Sequence, residues 1–218
     1  MANIIWDWNG TLLNDLDHCI STINVLLGKR NLPLLNHSRY KEVFSFPVKD
    51  YYQTIGFDFS KEDFAIPAGE FIDLYDGGVQ NCPLHESAIE VLEFFRSKNI
   101  RQFVLSAMKQ SMLETTLKHN SIFQFFEGVA GLNDHYAVSK VERGKDLIQK
   151  YKIEKKNTYI IGDTNHDFEV AEALEIQCIL IADGHQSEDR LRQTGATVLP
   201  NLRSLMNPEL IKGLSEEF

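Results

Sequence analysis

The chain has 218 residues, a formal charge of −9, 43% hydrophobic and 24% charged residues. These values suit one α/β domain with a sizeable insertion, or two small domains. The acidic balance argues against a nucleic-acid partner, whose phosphates need clustered Lys and Arg, but it allows a small phosphorylated molecule held at one local cation. No apolar run approaches the ~18 residues that span a bilayer, and no basic segment with a long apolar core opens the chain. The expectation is a cytoplasmic protein with no membrane partner. Cys19, Cys82 and Cys178 are odd in number and set among apolar residues, which reads as buried free thiols in a reducing compartment.

Residues 2–6 read as a short buried strand that ends at Asp7. From Asp15 the pattern turns helical, with Leu16, Cys19, Ile20, Ile23, Leu26 and Leu27 at three- and four-residue spacing and Asn14 or Asp15 as N-cap. Residues 40–55 and 61–76 read as further amphipathic helices rich in Phe and Tyr. Asp76-Gly77-Gly78 is a turn signal and Cys82-Pro83 reads as extended chain.

The rhythm then becomes alternating helix and strand. A helix near 85–97 precedes a strand at 101–105 that ends at Ser106. A helix near 110–118 leads to a short strand at 127–130. Lys140 falls in a loop before a helix near 142–151, and that helix leads to a strand at 158–162. Residues 168–174 read as helix, 178–182 as strand and 196–199 as a last short strand. Apolar strands separated by helices imply a doubly wound parallel sheet covered on both faces. The division expected is a core at 1–13 and 81–218, with a helical insertion at 14–80 after the first strand.

Polar residues fall just after three of these strands, at Asp7, Ser106 and Asp163, and Lys140 lies in a loop. In a parallel sheet all strand ends of one sense share an edge, so these groups can converge where open α/β sheets bind ligands. Together the segments resemble the haloacid dehalogenase superfamily of phosphotransferases over nearly the whole chain. Asp7-Trp8-Asn9-Gly10-Thr11 resembles the first motif and Val104-Leu105-Ser106-Ala107 the second. Lys140, which lies 22 residues before Gly162, resembles the third, and Gly162-Asp163-Thr164-Asn165-His166-Asp167 the fourth. Lys145 competes for the third role, and spacing favours Lys140. The insertion resembles the mobile helical cap of the phosphoglycolate phosphatase-like members.

The resemblance implies a Mg²⁺-dependent hydrolase of a small phosphorylated metabolite, acting as a monomer or homodimer through an aspartyl-phosphate on Asp7. It implies Asp7, the main-chain carbonyl of Asn9, Asp163 and Asp167 as the metal site. Thr11, Ser106, Ala107 and Lys140 would bind substrate, and Asp7, Asn9 and Lys140 would form the catalytic group. The chemistry fits these residue types. A carboxylate about 4 Å from a phosphoryl charge is repelled by roughly 4 kcal/mol per charge pair at an effective dielectric near 20, so cations are needed. His166 reads as a partly exposed loop residue, and no His or Cys pair has transition-metal spacing.

One position departs from the pattern. The superfamily's phosphatases carry a second Asp where this chain has Asn9, and Asn cannot transfer a proton at neutral pH. Loss of a general acid–base costs about 10²–10⁴ in rate, which falls hardest on esters with poor alkoxide leaving groups. Two alternatives follow. One is carbon–phosphorus cleavage of the phosphonatase type, with Lys41 or Lys49 as Schiff-base candidates. The other is a non-catalytic protein that binds phosphorylated ligands.

Overall fold

The computed structural model describes residues 2–132 and 139–208. Six strands make one sheet: β1 (Asn3–Trp6), β2 (Arg101–Lys109), β3 (Gly128–Leu132), β4 (Thr158–Gly162), β5 (Gln177–Ile181) and β6 (Thr197–Leu199). Their order is β3-β2-β1-β4-β5-β6, and every pairing is parallel. The chain builds outward from β1 to β3, then returns to the other side of β1 for β4. The order therefore reverses between β1 and β4, and the crevice at such a switch point is where doubly wound sheets hold ligands.

Alternation along the strands fills two cores. Ile4, Trp6, Val104, Tyr159 and Ile161 face one side. Ile5, Phe103, Leu105, Ala130 and Ile160 face the other. The first face is covered by α5 (Ala88–Ser97) and α6 (Gln110–His119), through Val91, Leu92, Phe95, Leu113 and Leu117. The second is covered by α7 (Lys140–Tyr151) and α8 (Asn165–Leu174), through Leu147, Val170, Ala171 and Leu174. A short helix α9 (Glu188–Arg192) joins β5 to β6.

Between β1 and α5 lie four α-helices: α1 (Leu16–Lys29), α2 (His37–Val43), α3 (Val48–Thr54) and α4 (Ala65–Gly78). Their apolar faces, with Leu26, Leu27, Tyr52 and Tyr75, continue the first core without a break.

The single helix expected over 40–55 is two, because Pro47 stands between them as the residue before α3 and a proline cannot continue the helix that precedes it. β2 runs past Ser106 to Lys109, with a register shift between Leu105 and Lys109. Lys140 is not in a loop but opens α7, whose start is fixed by the Ser139 hydroxyl accepting from the Glu142 amide. Residues 165–167 belong to α8, so His166 is helical rather than in a loop. Cys19 and Cys82 are buried and Cys178 is half-buried, and all three are free thiols. Among the described residues no helix is long and apolar enough to cross a membrane.

Candidate active site

Asp7 follows directly on β1, and its amide is tied to the Ile161 carbonyl of β4 at 2.8 Å. Asp163 follows directly on β4. The two carboxylates therefore rise side by side at the switch point. The turn after Asp7 needs Gly10, which has φ +73° and lies where a Cβ would run into Asp163 and His185. Thr11 is buried and donates its hydroxyl to Asp163 Oδ1 at 2.8 Å. That hydroxyl, implied above as a substrate ligand, here orients Asp163.

Lys140 joins the carboxylates. Its Nζ lies 2.6 Å from Asp7 Oδ1 and 2.6 Å from Asp167 Oδ1, and the residue is only 6% exposed. Lys145, its sequence competitor, pairs with Glu142 on the outer face of α7. The second oxygen of Asp167 accepts from the Asp163 amide and from the amide and hydroxyl of Thr164. Asp167 thus caps α8 and clamps Lys140, and both its oxygens are already engaged.

Asp7, Asp163 and Asp167 each bring an oxygen within 4.8 Å of the others, against one ammonium. Burial pushes Asp7 up to about 8 even against the pull of Lys140, with Asp167 and Asp163 adding to the rise. Burial likewise pushes Asp163 up to about 6, opposed by His185. Asp167 is held low, because Lys140 and Thr164 outweigh its burial. Lys140 is raised, its two carboxylates outweighing its own burial. Both rises come first from burial, with the neighbouring carboxylates adding to them. Hard oxygen donors suit a divalent cation of the Mg²⁺ type, so these residues fit one.

Asn9 sits over the other side of Asp7. Its amide donates to Asp15 Oδ2 at 3.0 Å and to the Tyr75 hydroxyl at 2.6 Å. Its Oδ1 accepts from Ser106 Oγ at 3.3 Å, and Ser106 in turn accepts from the Met108 amide. Ser106 is fully buried beneath Asn9. Its hydroxyl supports the amide from below, while the next residues, Ala107 and Met108, line the cavity.

Four site residues escape the motif reading: Asp15, His185, Tyr75 and Tyr40. The Asp15 carboxylate takes the N-cap place of α1 but makes no capping bond. It accepts from the Gly10 amide, Asn9, Tyr75 and His185 Nε2. These partners hold Asp15 well below the usual carboxylate range despite its burial. His185 is raised to about 9, since Asp15 outweighs the burial that would lower it. Its other ring nitrogen meets the Tyr40 hydroxyl at 3.2 Å, and its main-chain N–H bonds Asp163 Oδ2 at 2.6 Å. Asp15, Cys19 and His185 also lie within ligand distance of one another, but the carboxylate and both ring nitrogens are already hydrogen-bonded. A signal existed for His185: it lies in the polar loop after β5, at the same sheet edge as Asp7 and Asp163.

The site opens into a cavity of about 210 Å³. Asp7, Asn9, Lys140 and Asp167 stand at its polar end. Phe44, Phe46, Phe71, Ile72, Tyr75 and Met108 line much of the rest, with His166 and Lys109 also present. His166 is half-buried, packs against Phe46 with ring centroids 4.7 Å apart, and pairs with Glu169. The helices between β1 and β2 contribute to this wall through Phe71, Ile72 and Tyr75 of α4.

Known proteins share this fold. The tyrosine-protein kinase PtkA of Mycobacterium tuberculosis is 23% identical over 93% of this chain and 69% of its own length. A 5'-nucleotidase of Pseudomonas aeruginosa is 22% identical over 87% of this chain and 86% of its own. A structure described as a predicted phosphatase from Clostridium acetobutylicum superposes with TM-score 0.80 at 16% identity, over 99% of each chain. The family model of the haloacid dehalogenase-like hydrolases matches residues 4–181, and with a parallel sheet that sets Asp7, Lys140 and Asp163 together at its switch point, the chain belongs to that family.

Proposed function

We propose that the protein is a Mg²⁺-dependent phosphatase of the cytoplasm that hydrolyses a small phosphorylated molecule through an aspartyl-phosphate on Asp7. One observation carries the reading: the Asp7 carboxylate lines a cavity with a largely aromatic wall, gripped by a buried lysine that a second aspartate holds in place.

Each group has a task. Asp7 is the nucleophile that attacks phosphorus. Lys140 keeps its oxygen turned to the cavity and offsets part of the charge that builds on the phosphoryl oxygens. Asp167 fixes Lys140, and Thr11 with the His185 amide fixes Asp163. A bound Mg²⁺, held by Asp7, Asp163 and the main-chain carbonyl of Asn9, would reduce the repulsion between nucleophile and phosphate. Helices α1 to α4 act as a cap that shields the reacting phosphate from water.

The test is Asp7→Asn. Loss of Mg²⁺-dependent phosphate release is the result expected, and full retention would overturn the nucleophile assignment. The carbon–phosphorus alternative fares worse against the geometry. Neither Lys41 nor Lys49 is among the residues lining the cavity, and the Lys49 ammonium lies over the Phe59 ring. The non-catalytic alternative has no use for so closely held a nucleophile, and any turnover would remove it.

A further inference from the structure

We propose that the substrate class is an aryl phosphate, the phosphate ester of a phenol, with its ring against the wall formed by Phe44, Phe46, Phe71 and Tyr75. This rests on the Asp7 reading above and adds the identity of the leaving group. Two independent observations point the same way.

The first is the state of protons around Asp7. Asn9 stands where a general acid is needed, and both its amide protons are given to Asp15 and Tyr75. Tyr75 passes its own proton to Asp15, and the His185 ring is bonded to Asp15 and Tyr40. None of these groups holds a proton out to a departing oxygen. With no proton offered from position 9 or its partners, a leaving group that departs as its anion is favoured. A phenolate can do so, since phenols ionise near pH 10, whereas an alkoxide lies nearer the ~15.7 of water.

The second is the wall. Phe71 stacks on Tyr75 with centroids 5.8 Å apart, and Phe44 meets Phe46 edge-on at 5.5 Å. Offset and edge-on arrangements are those that aromatic rings adopt with one another, so a further ring has matching faces to join. The volume of about 210 Å³ is below the ~300–1,000 Å³ of drug-sized sites and suits a single ring.

The step balances. Asp7 attacks phosphorus, the bond from phosphorus to the aryl oxygen breaks, and its electron pair leaves on the phenolate, which takes a proton from solvent. Water then attacks the aspartyl-phosphate, releasing inorganic phosphate and restoring the carboxylate.

Three probes separate the arguments, each with wild-type protein and Mg²⁺: phenyl phosphate has the ring and a good leaving group, benzyl phosphate has the ring and a poor one, and acetyl phosphate has a good leaving group and no ring. The expected kcat/KM for phenyl phosphate exceeds that for benzyl phosphate by about 10²-fold or more. It also exceeds that for acetyl phosphate, through a lower KM. Phe71→Ala raises the KM for phenyl phosphate several-fold more than that for acetyl phosphate. Benzyl phosphate turned over as fast as phenyl phosphate would overturn the proposal by revealing an acid. Acetyl phosphate turned over best, with no effect of Phe71→Ala specific to the ring, would overturn it by emptying the wall of meaning. Phosphoryl transfer through Asp7 survives either result. No phosphate released and none bound to Asp7 with any probe would overturn both.

Discussion

The Asn9 amide donates a hydrogen bond to the Asp15 carboxylate at 3.0 Å, so this side chain is locked to a buried anion. A carboxylate could not make this bond while both groups are charged. Asn9→Asp is therefore more than a restored acid. It sets a half-buried carboxylate within hydrogen-bond reach of the buried Asp15 and removes the donors that Asp15 and Tyr75 now receive. The expected cost is about 1–3 kcal/mol of stability at neutral pH, shrinking as pH falls and one proton becomes shared between the pair. Denaturant melts at two pH values check this. The double variant Asn9→Asp with Asp15→Asn returns a donor across the same gap and is expected to recover part of the loss.

With no carboxylate at position 9, nothing there activates water for the second step. The aspartyl-phosphate on Asp7 is expected to outlive its formation. Rapid mixing with an aryl phosphate should give a burst of phenol close to one equivalent per chain, followed by a turnover some 10²–10⁴-fold slower. A linear trace with no burst would show that hydrolysis of the intermediate is not limiting.

The grip on Lys140 separates function from stability. Lys140→Met leaves Asp7 and Asp167 buried without their cation, and breaking a buried pair in this way costs about 3–5 kcal/mol. Asp7→Asn removes one of three crowded carboxylates and keeps an acceptor for Lys140. In metal-free protein at neutral pH it is expected to raise Tm, by at least the ~2–4 °C that about 1 kcal/mol gives at this chain length, while abolishing turnover. Thermal scans in chelator and a phosphate-release assay read both effects.

Asp7 at about 8 and Asp163 at about 6 hold their protons more tightly folded than unfolded, where both lie near the ordinary 3.8. The folded chain binds more protons, so stability of the metal-free protein falls as pH rises from about 4 to 8. Mg²⁺ binding needs the ionised forms. The gain in Tm on adding Mg²⁺ is therefore expected to be larger at pH 8 than at pH 5. An equal gain at both would mean that the carboxylates are already ionised without the cation.

His185 runs the same way for a different reason. Its pKa rises from 6.5 to about 9 on folding, so its contribution is full below pH 6.5 and is lost as pH climbs through 9. Asp15, held low, contributes above the ordinary carboxylate range and loses that contribution as pH falls. His185→Gln is expected to flatten the alkaline fall in stability between pH 6.5 and 9, read from chelated protein by chemical denaturation.

Much of this was legible in the sequence because the buried strands are short apolar runs and the chemistry follows directly on their ends. Asp7 and Asp163 need only β1 and β4 to be neighbours. The start of α7 was expected two residues late, although Ser139-Lys140-Val141-Glu142 carries the cap signature that sets Lys140 in the first turn. The break at Pro47 was likewise written in the chain. Asp15, Tyr75 and His185 were hidden for a physical reason. Asp15 looked like an ordinary cap, and its meaning comes from partners 60 and 170 residues away. No local periodicity encodes such contacts. The aromatic stretches looked like core, and Tyr75 serves as both core and site.

The loop after β5 and the helix α9 that follows it carry a second set of bonds. Gln186 donates to the Phe44 carbonyl, Arg190 reaches the carbonyls of Lys41 and Phe44, and the Ser187 amide meets Lys41. One residue earlier, the His185 amide holds Asp163. This one connection thus fastens the end of α2 with one hand and orients the Asp163 carboxylate with the other. Swinging those helices outward must either snap these bonds or drag the loop, and dragging it disturbs Asp163. If Asp163 holds an ion as proposed, reciprocity requires that whatever tightens that grip also favours the shut form, to the same free energy. Under that proposal, admission of substrate and retention of the ion would be two readings of one latch.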